Sequence, residues 1–76
     1  MGLHVRARKV AGNDRSATYS FTTGDSPERM LVVDLDANRI WPEDGNEDGV
    51  FRGAVLAIVR ERRRQGTLPD LALHQS

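Results

Sequence analysis

The chain changes its hydrophobic period once. Before Pro42 the apolar residues recur at every second position, and after it at every third or fourth. A period of two belongs to a strand with one buried face, and a period near 3.6 to an amphipathic helix. Strands therefore come first and a helix follows, which is an α+β plan.

Residues 3–10 set Leu3, Val5 and Ala7 on one face and His4, Arg6 and Arg8 on the other. Ala11-Gly12-Asn13-Asp14 supplies a turn. Residues 16–23 alternate again, with Ala17, Tyr19 and Phe21 against Ser16, Thr18, Ser20 and Thr22, so the two segments read as a hairpin. Gly24-Asp25-Ser26-Pro27 breaks the chain before the nearly continuous apolar run of residues 29–35, a strongly buried strand. Asp36-Ala37-Asn38 turns it back into a short strand at residues 39–41, which Pro42 ends. The expected sheet is an antiparallel meander of three to four strands.

Beyond Pro42, Phe51, Ala54, Val55 and Ile58 fall at i, i+3, i+4 and i+7, the stripe of one C-terminal helix packed on one sheet face. Gln65-Gly66 stops it, and Arg60 to Arg64 puts positive charge at the negative end of its dipole. The order is β-β-β-β-α in a single domain over residues 1–66. Residues 67–76 lack periodicity and read as a flexible tail, with Leu68 and Leu71 able to dock.

The 76 residues hold no cysteine, which excludes disulfides and thiolate metal sites. Neither a signal-peptide apolar run nor a stretch of about 20 apolar residues is seen, so a cytoplasmic protein without membrane contact is expected. Net charge is zero but segregated: residues 1–15 carry +3, residues 16–49 carry −6 and residues 50–76 carry +3. The whole molecule thus exerts no general pull on nucleic acid or acidic lipid.

One stretch carries a motif. Asp44, Asn46, Asp48 and Gly49 match positions 1, 3, 5 and 6 of a calcium-binding EF-hand loop. Position 12, which must be a bidentate glutamate, is the apolar Val55, and position 9 is Arg52. The residues suit another task, since Asn46 or Asp48 can cap the N–H groups of the helix that follows. No metal site and no cofactor are expected. His4 lies on the polar face of the first strand and His74 in the tail, while Ser16, Ser20 and Ser26 have no neighbouring base. No catalytic residue is singled out, and the chain reads as a non-enzyme.

Surfaces remain. If one helix covers one face, Met30, Val32 and Trp41 lie together on the other, beside Arg6 and Arg8. Such a mixed apolar and basic patch suits a protein partner or a second copy of the chain, unless the tail folds across it. The alternative partner is a nucleic acid, held through Arg52, Arg60, Arg63 and Arg64 on the outer face of the helix.

The order Tyr19-Ser20-Phe21, Arg29-Met30-Leu31-Val32-Val33-Asp34, Pro42-Glu43-Asp44-Gly45, Phe51-Arg52 and Gly66-Thr67-Leu68-Pro69 resembles short uncharacterised proteins of actinobacteria over residues 19–70. The resemblance implies a bacterial cytoplasmic origin and adds no catalytic residue. The expectation is a small protein-interaction or regulatory module.

Overall fold

Five strands and one helix follow one another in the computed structural model of the chain, which describes residues 3–24 and 26–75. Asp25 in the second expected turn and Ser76 in the expected tail lie outside the described residues. The elements are β1 (His4–Gly12), β2 (Ser16–Thr22), β3 (Arg29–Asp34), β4 (Arg39–Pro42), α1 (Gly49–Gln65) and β5 (Leu71–Gln75). They build one antiparallel sheet in the order β4-β3-β2-β1-β5. The meander and the single helix are as the periodicity predicts.

The turns follow from short polar side chains. Asn13 Oδ1 accepts from the backbone N–H groups of Arg15 and Ser16 at 2.9 and 3.1 Å, closing the β1–β2 connection. Asp34 Oδ1 accepts from the Ala37 N–H at 3.1 Å, and Asn38 takes φ 54°, a left-handed conformation that asparagine tolerates. A register shift between Lys9 and Ala11 leaves Val10 43% exposed in a bulge of β1.

Directly paired residues share a sheet face. Val5, Ala7, Ala17, Tyr19, Phe21, Leu31, Val33 and Ala72 face the helix side and are buried with Phe51, Ala54, Ala57 and Ile58 of α1. The rings of Phe21 and Phe51 meet edge to face, centroids 6.1 Å apart. Leu3, Leu35, Ile40 and Val55, expected in this core, pack at its margin. The Tyr19 hydroxyl donates to the Pro69 carbonyl, and burial, with Asp70 and Asp14 adding to it, pushes the phenol pKa up.

Asp48 caps α1, its carboxylate accepting from the Phe51 N–H at 3.0 Å. Gly66 ends it at φ 86°, a left-handed conformation costly for other residues, with its N–H donating to the Arg62 carbonyl at 2.8 Å. Among the described residues no helix is long and apolar enough to cross a membrane.

The sheet has one strand more than expected, and it comes from the segment read as a tail. Leu68 and Pro69 are buried, the Lys9 N–H donates to the Asp70 carbonyl at 2.9 Å, and Leu71–Gln75 then pairs along β1. Within β5, Ala72 is buried while Leu71 and Leu73 are 47% and 61% exposed. The larger apolar side chains point away from the core, so their pattern does not announce a strand docked on it. The helix can lie close over this edge because Gly53 has no side chain: a Cβ there would stand 2.9 Å from His74 Cδ2 and 3.1 Å from Val5 Cγ2.

Candidate functional site

Two places in the fold gather chemically distinctive side chains: the loop before α1, and the sheet face opposite the helix. The loop is organised by a single strand residue. Arg29 pairs with Phe21 on the helix side of the sheet, and its guanidinium lies 4.7 Å from the Phe21 ring centroid. From there it makes five hydrogen-bond contacts, with all three of its nitrogens donating. Nε donates to Asp44 Oδ2 at 2.8 Å, and Nη1 to Asp48 Oδ1 and Oδ2 at 2.8 and 3.0 Å. Nη2 donates to Asp44 Oδ1 at 3.2 Å and to the Asn46 carbonyl at 2.7 Å.

Asp44, Asn46 and Asp48, the oxygen-bearing positions of the calcium motif, therefore surround a guanidinium. Hydrogen bonds from Arg29 hold the carboxyl pKa of both Asp44 and Asp48 below the usual range, with the Asn46 N–H adding at Asp44 and the Phe51 N–H at Asp48. The same bonds raise the pKa of Arg29. Of the two expected capping residues, Asp48 is the cap, and Asn46 contributes its carbonyl to Arg29. Among the described residues no group of three histidine, cysteine or acidic side chains is placed to hold a metal ion. Sequence reading missed Arg29; its one signal was a charge at an inward-facing position of an apolar strand.

The open face is built by register. One row runs Leu73, Arg6, Thr22, and the next Leu71, Arg8, Ser20, Met30. A third runs Thr18, Val32, Trp41, and the last pairs Asp34 with Arg39. Met30, Val32, Trp41, Arg6 and Arg8 are thus on one face, as the alternation predicts. Met30, Val32 and Trp41 are half-buried, and Arg39 stacks its guanidinium 4.8 Å from the Trp41 ring centroid. The alternative of a tail folded across this face does not hold: the segment instead extends the face at the β5 edge, adding Leu71 and Leu73.

Between these two apolar margins lies a polar, basic middle. A depression of about 120 Å³ is lined by Arg6, Arg8, Ser20, Thr22 and Glu28. A second, of about 230 Å³, adjoins it at Arg6 and Thr22 and reaches round the sheet edge, lined also by His4, Val5, Gly24, Leu73, His74 and Gln75. His4 pairs with Gln75 on this face, whereas His74 pairs with Val5 on the helix side and is half-buried, not solvated in a tail. The two imidazoles thus belong to opposite faces of the sheet, although both residues line the larger depression at its edge.

The helix arginines Arg52, Arg60, Arg63 and Arg64 are all exposed. Arg64 pairs with Glu61 at 2.8 Å. They lie across the molecule from Arg6 and Arg8, so the two basic regions do not merge into one patch. The chain matches no protein-family model, no curated protein and no solved structure.

Proposed function

We propose that the protein acts by binding rather than catalysis, as a small interaction or regulatory module of the bacterial cytoplasm. The observation that carries this reading is the open sheet face. Five strands present it, no element of the described chain covers it, and it combines apolar Met30, Val32, Trp41, Leu71 and Leu73 with Arg6, Arg8 and Arg39. Exposed apolar surface mixed with arginine and tryptophan is the composition of protein interfaces. Arg39 holds the indole of Trp41 in place, which lowers the entropy lost when a partner packs on it.

Trp41→Ala tests the reading. The variant keeps the fold, because the side chain lies outside the core, and weakens partner binding by about 2 kcal/mol, the loss typical of an aromatic hot-spot residue. Capture from host lysate with nuclease present, comparing parent and variant at matched circular dichroism, measures it. Undiminished capture by a folded variant overturns it.

A further inference from the structure

We propose that the free edge of β5 takes up an extended acidic strand of a protein partner, which adds to Leu71–Gln75 as a sixth strand of the sheet. This rests on the binding reading above and gives the partner its chemistry.

The two edges of the sheet are guarded differently. β4 is four residues long, is headed by Arg39 and is closed by Pro42. Short length, charge and proline are the devices by which sheet edges avoid pairing with other chains. β5 is also short, at five residues, but has neither the charge nor the proline. Leu-Ala-Leu-His-Gln carries no proline and no acidic, lysine or arginine side chain, and it pairs with β1 over five consecutive residues without a register shift. Among the described residues its other side meets no strand. An edge of this kind is a template for strand addition.

Charge complementarity selects the occupant. Arg6 stands directly beside Leu73 and Arg8 beside Leu71, on the open face. Among the described residues neither arginine forms an ion pair. A strand added to β5 lies two strand spacings from β1, about 10 Å, a span that an arginine and a glutamate side chain cover between them. Carboxylates at alternate positions all fall on the arginine side of the sheet, their methylenes lying over Leu71 and Leu73.

A second copy of the chain meets these terms poorly. Its β5 brings no carboxylate, and its acidic run from Glu43 to Asp48 is bent at Gly45, with Asp44 and Asp48 already engaged by Arg29.

The test titrates the full chain with three synthetic peptides. One alternates glutamate and valine, the second replaces glutamate by lysine, and the third is the acidic peptide N-methylated along its pairing edge. The acidic peptide is expected to shift and protect the β5 amides in NMR hydrogen exchange, the other two not. The double variant Arg6→Glu/Arg8→Glu, checked for folding by circular dichroism, loses acidic-peptide affinity by about tenfold or more and gains the lysine peptide. Equal binding of acidic and basic peptides, or binding unaffected by N-methylation, overturns the proposal. So does a dimer in sedimentation whose β5 amides are protected without peptide, since the edge then belongs to a second copy. If Trp41→Ala abolishes capture of the native partner while no peptide touches β5, the edge proposal falls and the binding reading stands. If instead the acidic peptide protects β5 while Trp41→Ala leaves capture unchanged, the edge proposal stands and Trp41 is not the anchor.

Discussion

At Arg29 a charge sits at an inward-facing strand position, where lost hydration is costly unless partners replace the water. Two carboxylates and one carbonyl replace it, and the bonds fasten β3 to the loop that starts α1. The same loop reads in sequence as most of a calcium site. A motif of acids at alternate positions reports only that a cation is to be surrounded; it does not say whether the cation is a metal or a side chain 15 to 19 residues away. The cap at Asp48 was legible because it depends on neighbours along the chain, and the Arg29 cluster was not because it depends on the fold. The cluster predicts a pH dependence. Asp44 and Asp48 ionise more readily in the folded chain than when unfolded, where an aspartate titrates near about pH 3.9. Their contribution is complete above that value and is lost as pH falls through the depressed folded pKa. Arg29→Met is therefore less stable than the parent at neutral pH, and the gap closes on acidification. Urea unfolding at about pH 7 and about pH 2 measures both states, and a gap that is the same at the two pH values would sink this account.

Elements pack here through small residues as much as large ones. Ala54 and Ala57 of α1 and Ala7, Ala17 and Ala72 of the sheet are all buried, and Gly53 lets the helix approach β5. β1 and β2 were legible because apolar side chains alternate inward with polar ones outward, and β3 and β4 because apolar, β-branched or aromatic runs stand between turn residues. β5 inverts that rule, with leucines outward and alanine and histidine inward, so periodicity pointed to a tail where the fold has an edge strand. Gly53 was equally silent, since a helix-interior glycine reads as a weakness until the strand beneath it is known. Its replacement is therefore informative. Valine at an exposed helix position would change little, but Gly53→Val drives methyl groups into His74 and Val5. The expected loss is about 1–3 kcal/mol, the range for overpacking. It falls first on β5, whose amides lose protection in hydrogen exchange while those of β2 and β3 keep theirs. Uniform loss across the sheet, or none, contradicts the assignment of this contact to the helix–β5 edge.

Across the whole molecule, the segregated charge of the chain becomes a segregated surface. The acidic middle of the sequence forms the turn and loop around Asp36 and Asp44, where Arg15 and Arg29 answer part of it. The basic ends divide between the open sheet face and the outer face of α1. This division weighs against the nucleic-acid alternative, because phosphate affinity grows with the number of cations that one strand of nucleic acid contacts at once. The helix offers Arg52, Arg60 and Arg63 unpaired among the described residues, with Arg64 shared by Glu61 and Leu56 exposed between them. No aromatic side chain stands on that face to stack a base, and the net charge of zero supplies no long-range attraction. Fluorescence anisotropy with labelled single- and double-stranded DNA and RNA is thus expected to show no binding tighter than about 10⁻⁴ M at physiological salt. If such binding is found, falls steeply with salt and disappears in Arg52→Gln/Arg60→Gln/Arg63→Gln/Arg64→Gln, the working surface is the helix. The open sheet face then keeps only a structural role. Binding that survives those four substitutions but is lost with Arg6→Glu/Arg8→Glu would instead keep the open face as the working surface and change the class of its partner.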